Sequence, residues 1–293
     1  MIDSHHHFFD PAARDYPWMT GNASPLRRRF GPDDLQPLLT AMGVEATVLV
    51  QTVGEVTETR EFLATAAVTP YIAGVVGWVD LTASDVAETL AALKAGPGGE
   101  YLVGIRHQVH DEPDPNWLLR PDVGRGLSAV AEADLVYDFL IRPRETPAAI
   151  EVARRFPHLR FVVDHLAKPI IAPFDDEKLD AWDDLMSGFA GHEHVACKLS
   201  GLVTEAGPGW LAEEELAVYC AIAFRIFGED RLMFGSDWPV CTLVASYDRV
   251  VGALRDILIT LGPFAPGVEE KIWGGNAARW YGLSPGAAPL RRR

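Results

Sequence analysis

The chain has 293 residues, of which 48% are hydrophobic and 23% charged, with a formal net charge of -15 and a pI near 5.0. This composition suits a globular protein with a large buried core, and the acidic balance disfavours binding to phosphate backbones or anionic lipid. Three cysteines, Cys197, Cys220 and Cys241, lack a CxxC spacing and fit a reducing compartment, and no apolar run reaches the roughly 18 residues of a membrane span. The expectation is a cytoplasmic protein whose partner is a small-molecule substrate, with no nucleic acid and no membrane.

The first predicted element is a strand over residues 2–10, where an apolar start runs into His5, His6 and His7 and Pro11 ends the pairing. These histidines sit in strand-forming sequence and not among the Gly and Ser residues that usually flank a purification tag. Alternation along the strand puts Asp3, His5 and His7 on one face and Ser4 and His6 on the other. Two imidazoles about 7 Å apart on one face can grip a metal ion or a polarised carbonyl.

A loop over 10–31 follows, carrying Trp18 and the basic run Arg27, Arg28 and Arg29, which reads as a solvated surface. A helix over 32–43 then leads into a β-branched strand over 44–51. The alternation continues with helices over 55–68, 84–95, 123–133, 147–155, 178–188 and 213–227. Between and after them, strands are predicted over 72–79, 102–107, 135–141, 159–165, 195–199 and 232–236, and a last helix over 268–281. Eight near-continuous apolar strands alternating with amphipathic helices predict an α/β fold, a single (β/α)8 TIM barrel over residues 1–283, with 284–293 a flexible tail. An open doubly wound sheet is disfavoured, because no glycine-rich phosphate loop follows any strand.

The strands turn polar at one end. His5 and His7 close the first, Gln51 the second, Trp78 and Asp80 the third, Arg106 and His107 the fourth, Asp164 and His165 the sixth, Lys198 and Ser200 the seventh and Asp237 the eighth, while Asp138 sits within the fifth. In a barrel of this kind the active site is built at the carboxyl ends of the strands, so these side chains are expected to converge on one pocket. Asp237, beside Trp238 and Pro239, reads either as a turn residue or as a general base facing the first-strand imidazoles. Trp18, Trp78, Trp210 and Trp238 can stack on a sugar-like ring or serve packing alone. Of Arg106 and His107, alternation allows only one to face the pocket.

Five strand-end motifs in order, His5-x-His7, Gly104-Ile105-Arg106-His107-Gln108, Asp164-His165-Leu166-Ala167-Lys168-Pro169, Lys198-Leu199-Ser200-Gly201-Leu202 and Gly235-Ser236-Asp237-Trp238-Pro239, resemble the amidohydrolase superfamily. More narrowly, they resemble its sugar-lactonase branch, the L-fuconolactonase and L-rhamnonolactonase-like enzymes related to 2-pyrone-4,6-dicarboxylate lactonase. The resemblance runs from Ile2 to Tyr281. It implies a hydrolase that opens the lactone ring of a sugar acid. In that reading Asp237 activates water, His5, His7 and His165 surround the attacked carbonyl or a metal, and Arg106, Lys168 and Lys198 hold the substrate, with His107 and the tryptophans contributing to binding.

His5, His7 and Asp237 would supply ligands for one zinc at most, with His165 a candidate fourth. No lysine on the fourth strand is available to bridge a second ion, and the fifth strand carries no histidine. Catalysis is expected either to need no cofactor or to tolerate one divalent metal at partial occupancy. His6 and Phe9 stand where relatives usually carry Gln and Trp, which changes hydrogen bonding and shape near the pocket. Two other readings are carried forward: a metal-dependent decarboxylase of the same superfamily, and a barrel that binds sugar acids without turning them over.

Overall fold

The computed structural model describes residues 1–207 and 213–283. The tail expected at 284–293, and Trp210, lie outside the described residues. Eight strands form one sheet in sequence order: β1 (Ile2–His6), β2 (Ala46–Val50), β3 (Ile72–Gly77), β4 (Leu102–His107), β5 (Val136–Phe139), β6 (Phe161–Val163), β7 (Val195–Leu199) and β8 (Leu232–Phe234). Every neighbouring pair from β1 to β8 is parallel. The crossovers are α1 (Pro32–Met42), α2 (Val56–Val68), α3 (Val86–Ala95), α4 (Pro121–Glu132), α5 (Thr146–Arg155), α6 (Asp176–Ser187) and, between β7 and β8, α7 (Leu202–Ala206) and α8 (Glu213–Phe227). After β8 come α9 (Tyr247–Leu261), α10 (Val268–Glu270) and α11 (Asn276–Tyr281).

The sheet closes on itself between β8 and β1. Ser4 Oγ donates to the Phe234 carbonyl at 2.5 Å, Asp237 N donates to the His5 carbonyl at 2.8 Å, and His7 N donates to the Trp238 carbonyl at 2.7 Å. This is the (β/α)8 barrel that the alternating pattern predicts. The closing seam also draws the end of the last strand alongside His5 and His7.

Two apolar layers hold the barrel. A central one inside the strands contains Val48, Val50, Val76, Val136, Val162, Ala196 and Met233, and α11 caps it from the amino end with Ala277, Trp280 and Tyr281. A larger one fills the space between strands and helices. β-branched residues dominate the inner layer because they pack well on a pleated surface. Local signals fix the helix ends. Pro32 opens α1, the Asp34 carboxylate accepts from Gly31 N at 2.8 Å, and Gly43 stops the helix in the left-handed region at φ 70.

Several strands are shorter than their apolar patterns suggest. β1 ends at His6 and β6 at Val163, because the residues beyond them leave the ladder to build the pocket. The expected helix over 268–281 is interrupted by a wider turn at Lys271–Gly275. Helix α9 has no counterpart among the predicted elements, although Val250, Val251, Leu254, Ile257 and Leu258 form its buried stripe at helical spacing.

Candidate active site

His5 and His7 point to the barrel axis from the end of β1. Their Nε2 atoms lie 3.2 Å apart, and the rings meet edge to face with centroids 4.9 Å apart. His7 Nδ1 lies 2.8 Å from the Val50 carbonyl, an acceptor, so the ring carries its proton there and presents a bare Nε2 to the pocket. His6, on the opposite face, pairs with Thr47 Oγ1 at 2.9 Å outside the pocket. Asp237 Oδ1 faces the imidazoles at 3.4 Å from His7 Nε2, 3.8 Å from His5 Nε2 and 3.9 Å from His165 Nε2.

His165 and Lys168 reach the pocket by an unusual route. Residues His165, Leu166, Ala167 and Lys168 all have φ between 51 and 57, a run of left-handed backbone in residues that carry side chains. Each such residue costs roughly 1–2 kcal/mol, and strain of this kind persists where packing over-determines it. Here Leu166 and Ala167 are fully buried, and Trp182 Nε1 donates to the Leu166 carbonyl at 3.0 Å. The turn delivers both a histidine and a lysine to the cavity within four residues. His165 Nδ1 pairs with Ser200 Oγ at 2.8 Å, which leaves Nε2 towards Asp237. Gly201 is required behind that ring, since a Cβ there would lie 2.7 Å from His165 Nδ1.

Below the pocket floor runs a buried polar column. Lys198 Nζ lies 2.7 Å from Asp138 Oδ2, 2.9 Å from Asp164 Oδ1 and 3.1 Å from His5 Nδ1. Tyr281, on α11, donates to the Asp138 carboxylate at 2.8–2.9 Å. Arg106 Nη1 donates to Asp164 Oδ2 at 2.9 Å and approaches His5 Nε2 at 3.2 Å, while Nη2 donates to the Gln51 carbonyl at 2.5 Å. Buried charges are tolerated only when paired in this way.

The electrostatics favour a charged carboxylate among neutral imidazoles. Burial alone would raise the Asp237 carboxyl, but His165, His7 and Lys168 outweigh it and hold the group below its usual range. Burial pushes His165 down to about 3 against the pull of Asp237, and drives His5 well below its ordinary value. At neutral pH the cluster around Asp237 therefore presents its carboxylate beside three neutral imidazoles, with Arg106 and Lys168 as neighbouring cations.

These groups open into a cavity of about 400 Å³ lined by His7, Trp18, Thr52, Arg106, Gln108, His110, Asp111, Leu140, Arg142, His165, Lys168, Asp237 and Val240. Its volume lies in the range usual for small-molecule pockets. Of the residues expected there, His7, Trp18, Arg106, His165, Lys168 and Asp237 line it and His5 lies directly behind. Lys198 lies a layer deeper, wholly buried. Arg106, not His107, faces the pocket. His107 is stacked on Trp117 at 4.2 Å between centroids, accepts from Trp78 Nε1 at 2.9 Å and pairs with Glu112 at 2.7 Å, at the edge of a neighbouring cleft. Trp238 turns away to pack on Phe8 and Phe30.

His110, Asp111 and Arg142 are pocket residues that the motif reading passed over. They follow β4 and β5 in loops, and the one signal available is that barrel active sites recruit the loops after the strands. Among the described residues, ligand-type atoms cluster in two groups, His5–His7–Asp237 and His5–Asp164–His165. Asp164 of the second group already has Arg106 and Lys198 as counter-ions. No helix among the described residues is long and apolar enough to cross a membrane.

A family profile described as Amidohydrolase matches residues 2–283. An L-fucono-1,5-lactonase from Burkholderia ambifaria is 39% identical over 283 residues, covering 96% of this chain and 94% of that protein. A crystal structure of an amidohydrolase from Burkholderia multivorans with bound HEPES superposes with a TM-score of 0.90 at 39% identity, covering 97% of this chain and 99% of that one. A second crystal form of the Burkholderia multivorans amidohydrolase, with bound zinc, has the same TM-score at 38% identity and the same coverage. The eight-stranded barrel, the ordered strand-end motifs and these matches agree, and the chain belongs to the amidohydrolase family.

Proposed function

We propose that the protein is a lactonase that opens the ring of a sugar-acid lactone, an aldonolactone of the kind named for its Burkholderia relatives. The observation that carries this reading is the ionised Asp237 carboxylate set against neutral imidazoles at the floor of the pocket, with Arg106 and Lys168 on its walls. Water beside Asp237 Oδ1 loses its proton to the carboxylate as its oxygen attacks the lactone carbonyl. Negative charge then develops on the carbonyl oxygen, where Arg106 and Lys168 can stabilise it. Collapse breaks the ring C–O bond, and the leaving ring oxygen takes the proton back from Asp237. The product is a hydroxy acid that ionises and releases one proton at neutral pH. Trp18, Leu140 and Val240 give the cavity apolar surface for the faces of the sugar ring.

The residues also fit a metal ion. Ligand atoms on a tetrahedral zinc with bonds of about 2.0–2.1 Å stand roughly 3.3 Å apart. Here the separations are 3.2 Å for His5 Nε2 to His7 Nε2 and 3.4 and 3.8 Å from these atoms to Asp237 Oδ1. When bound, such an ion supplies a Lewis acid beside the carbonyl. A lactone is an activated ester, and the carboxylate base with its cationic neighbours supports hydrolysis without that help. We therefore assign at most one divalent ion per chain, at partial occupancy.

Incubating the protein with lactones, linear esters, amides and aromatic carboxylates while recording proton release and carbon dioxide tests the assignment. Sugar-acid lactones should give the highest kcat/KM, with one proton released per ring opened. Carbon dioxide from an aromatic acid would establish the decarboxylase instead, and binding without either product would establish the non-catalytic barrel.

A further inference from the structure

His5 is the only pocket histidine with a cation facing each ring nitrogen among the described residues: Lys198 Nζ at 3.1 Å from Nδ1 and Arg106 Nη1 at 3.2 Å from Nε2. Neither cation can accept a hydrogen bond, and a neutral imidazole has one N–H and one bare nitrogen. The two placements of that proton are therefore not equivalent. With the proton on Nδ1, it points at an ammonium, and two bare Nε2 lone pairs from His5 and His7 face each other across 3.2 Å. With the proton on Nε2, Lys198 donates to the bare Nδ1 and His5 donates to the bare Nε2 of His7, whose own proton is on the Val50 carbonyl. In the first case Arg106 Nη1 can also donate to the bare Nε2, a contact that the second case gives up in exchange for the His5–His7 bond; Arg106 keeps its bond to Asp164 in either case.

We propose that Lys198 is a positioning residue that fixes the His5 proton on Nε2 and locks His5 to His7 by an N–H···N hydrogen bond in the metal-free site. A metal ligated by His5 Nε2 needs that position bare, so its entry requires the proton to move to Nδ1, facing the ammonium. Metal-ligating histidines ordinarily direct the second nitrogen's proton to an acceptor. Here the nearest acceptor to Nδ1, Asp164 Oδ1, lies at 3.4 Å, farther than the Lys198 nitrogen, and is already paired with Lys198 Nζ at 2.9 Å. The column Tyr281–Asp138–Lys198 holds the ammonium in place from the opposite end of the barrel. Lys198 thereby makes the metal site a weak one and favours the hydrogen-bonded, metal-free arrangement. The inference rests on donor positions alone, so a failed lactone assay leaves it standing.

Nitrogen NMR of the full metal-free chain, labelled at histidine and with His5 assigned by its loss in His5→Gln, reads the proton directly. The expected spectrum has a bare Nδ1 and a protonated Nε2 on His5, with scalar coupling across the hydrogen bond to His7. The double variant Lys198→Met/Asp138→Asn removes the ammonium with its countercharge and leaves Asp164 paired to Arg106. In it, the His5 proton should move to Nδ1 and zinc should bind at least about tenfold more tightly in competition with a chelator, the scale of effect seen for groups behind metal ligands. A merely structural lysine would lower Tm without tightening zinc. A proton on Nδ1 in the unaltered protein overturns the proposal, whether or not the double variant folds. An unchanged His5 proton and unchanged zinc affinity in a folded double variant also overturn it.

Discussion

Gly201→Ala asks how closely the His165 ring must be held. Gly201 has φ +68, and a Cβ built there lies 2.7 Å from His165 Nδ1 and 2.8 Å from its Cγ. Ordinary contact is about 3.5 Å, so the ring must retreat by roughly 0.8 Å and its bond to Ser200 Oγ stretches. The left-handed backbone adds about 1–2 kcal/mol of strain, which for a chain of this size lowers Tm by roughly 2–8 °C. A displacement near 1 Å of a group facing the reacting atoms typically costs about a hundredfold in rate. Gly43→Ala is the matched control, because Gly43 has φ +70 and nothing within 4 Å of the added Cβ. Calorimetry should find both variants destabilised by the shared backbone strain, Gly201→Ala the more because of its clash, and proton-release kinetics on a sugar-acid lactone should show that only Gly201→Ala loses kcat/KM. Wild-type kcat/KM in folded Gly201→Ala would refute the claim that the placement of His165 matters.

Three further outcomes follow from the same geometry. The Asp237 carboxyl is held below its usual range and His165 at about 3, so kcat/KM should stay level as pH falls from 7 to about 4; an acid limb centred above pH 5 would contradict this assignment. The sign is the same for stability, because a depressed carboxyl stabilises the fold above its unfolded pKa and loses that contribution as pH falls through the folded value. Lys168 lies on the pocket wall beside Glu205 at 2.7 Å, and Lys168→Met should lower kcat/KM by about tenfold or more with little change in Tm, read by kinetics and calorimetry together. Protein expressed with zinc should carry no more than one ion by elemental analysis, and activity should largely survive a chelator; two ions, or complete loss reversed by zinc, would show that Asp237 acts as a ligand rather than as the free base.

Much of the barrel was legible because buried parallel strands are written as short β-branched runs, and the runs ending at His107 and Leu199 matched β4 and β7 at both ends. Alternation also placed His5 and His7 together and His6 apart. What it could not give was depth along the axis. Lys198 ends a strand as Arg106 does, yet it sits one layer lower, where β7 meets Asp138 and Asp164. Nor does alternation survive a left-handed residue. Asp237 has φ 57, so its carboxylate turns inward while Trp238 packs outward on aromatic neighbours. His110 and Arg142 come from loops whose path is set by tertiary packing, and no periodicity marks them.

The most direct test of the account is Asp237→Asn. The amide preserves side-chain size and leaves the backbone bond from residue 237 to the His5 carbonyl in place, but it cannot take a proton from water. General-base catalysis is typically worth about 10²–10⁴ in rate, so kcat on a sugar-acid lactone should fall at least about a hundredfold while the protein stays folded. Near-normal turnover by well-folded Asp237→Asn would remove Asp237 from the mechanism and contradict the account.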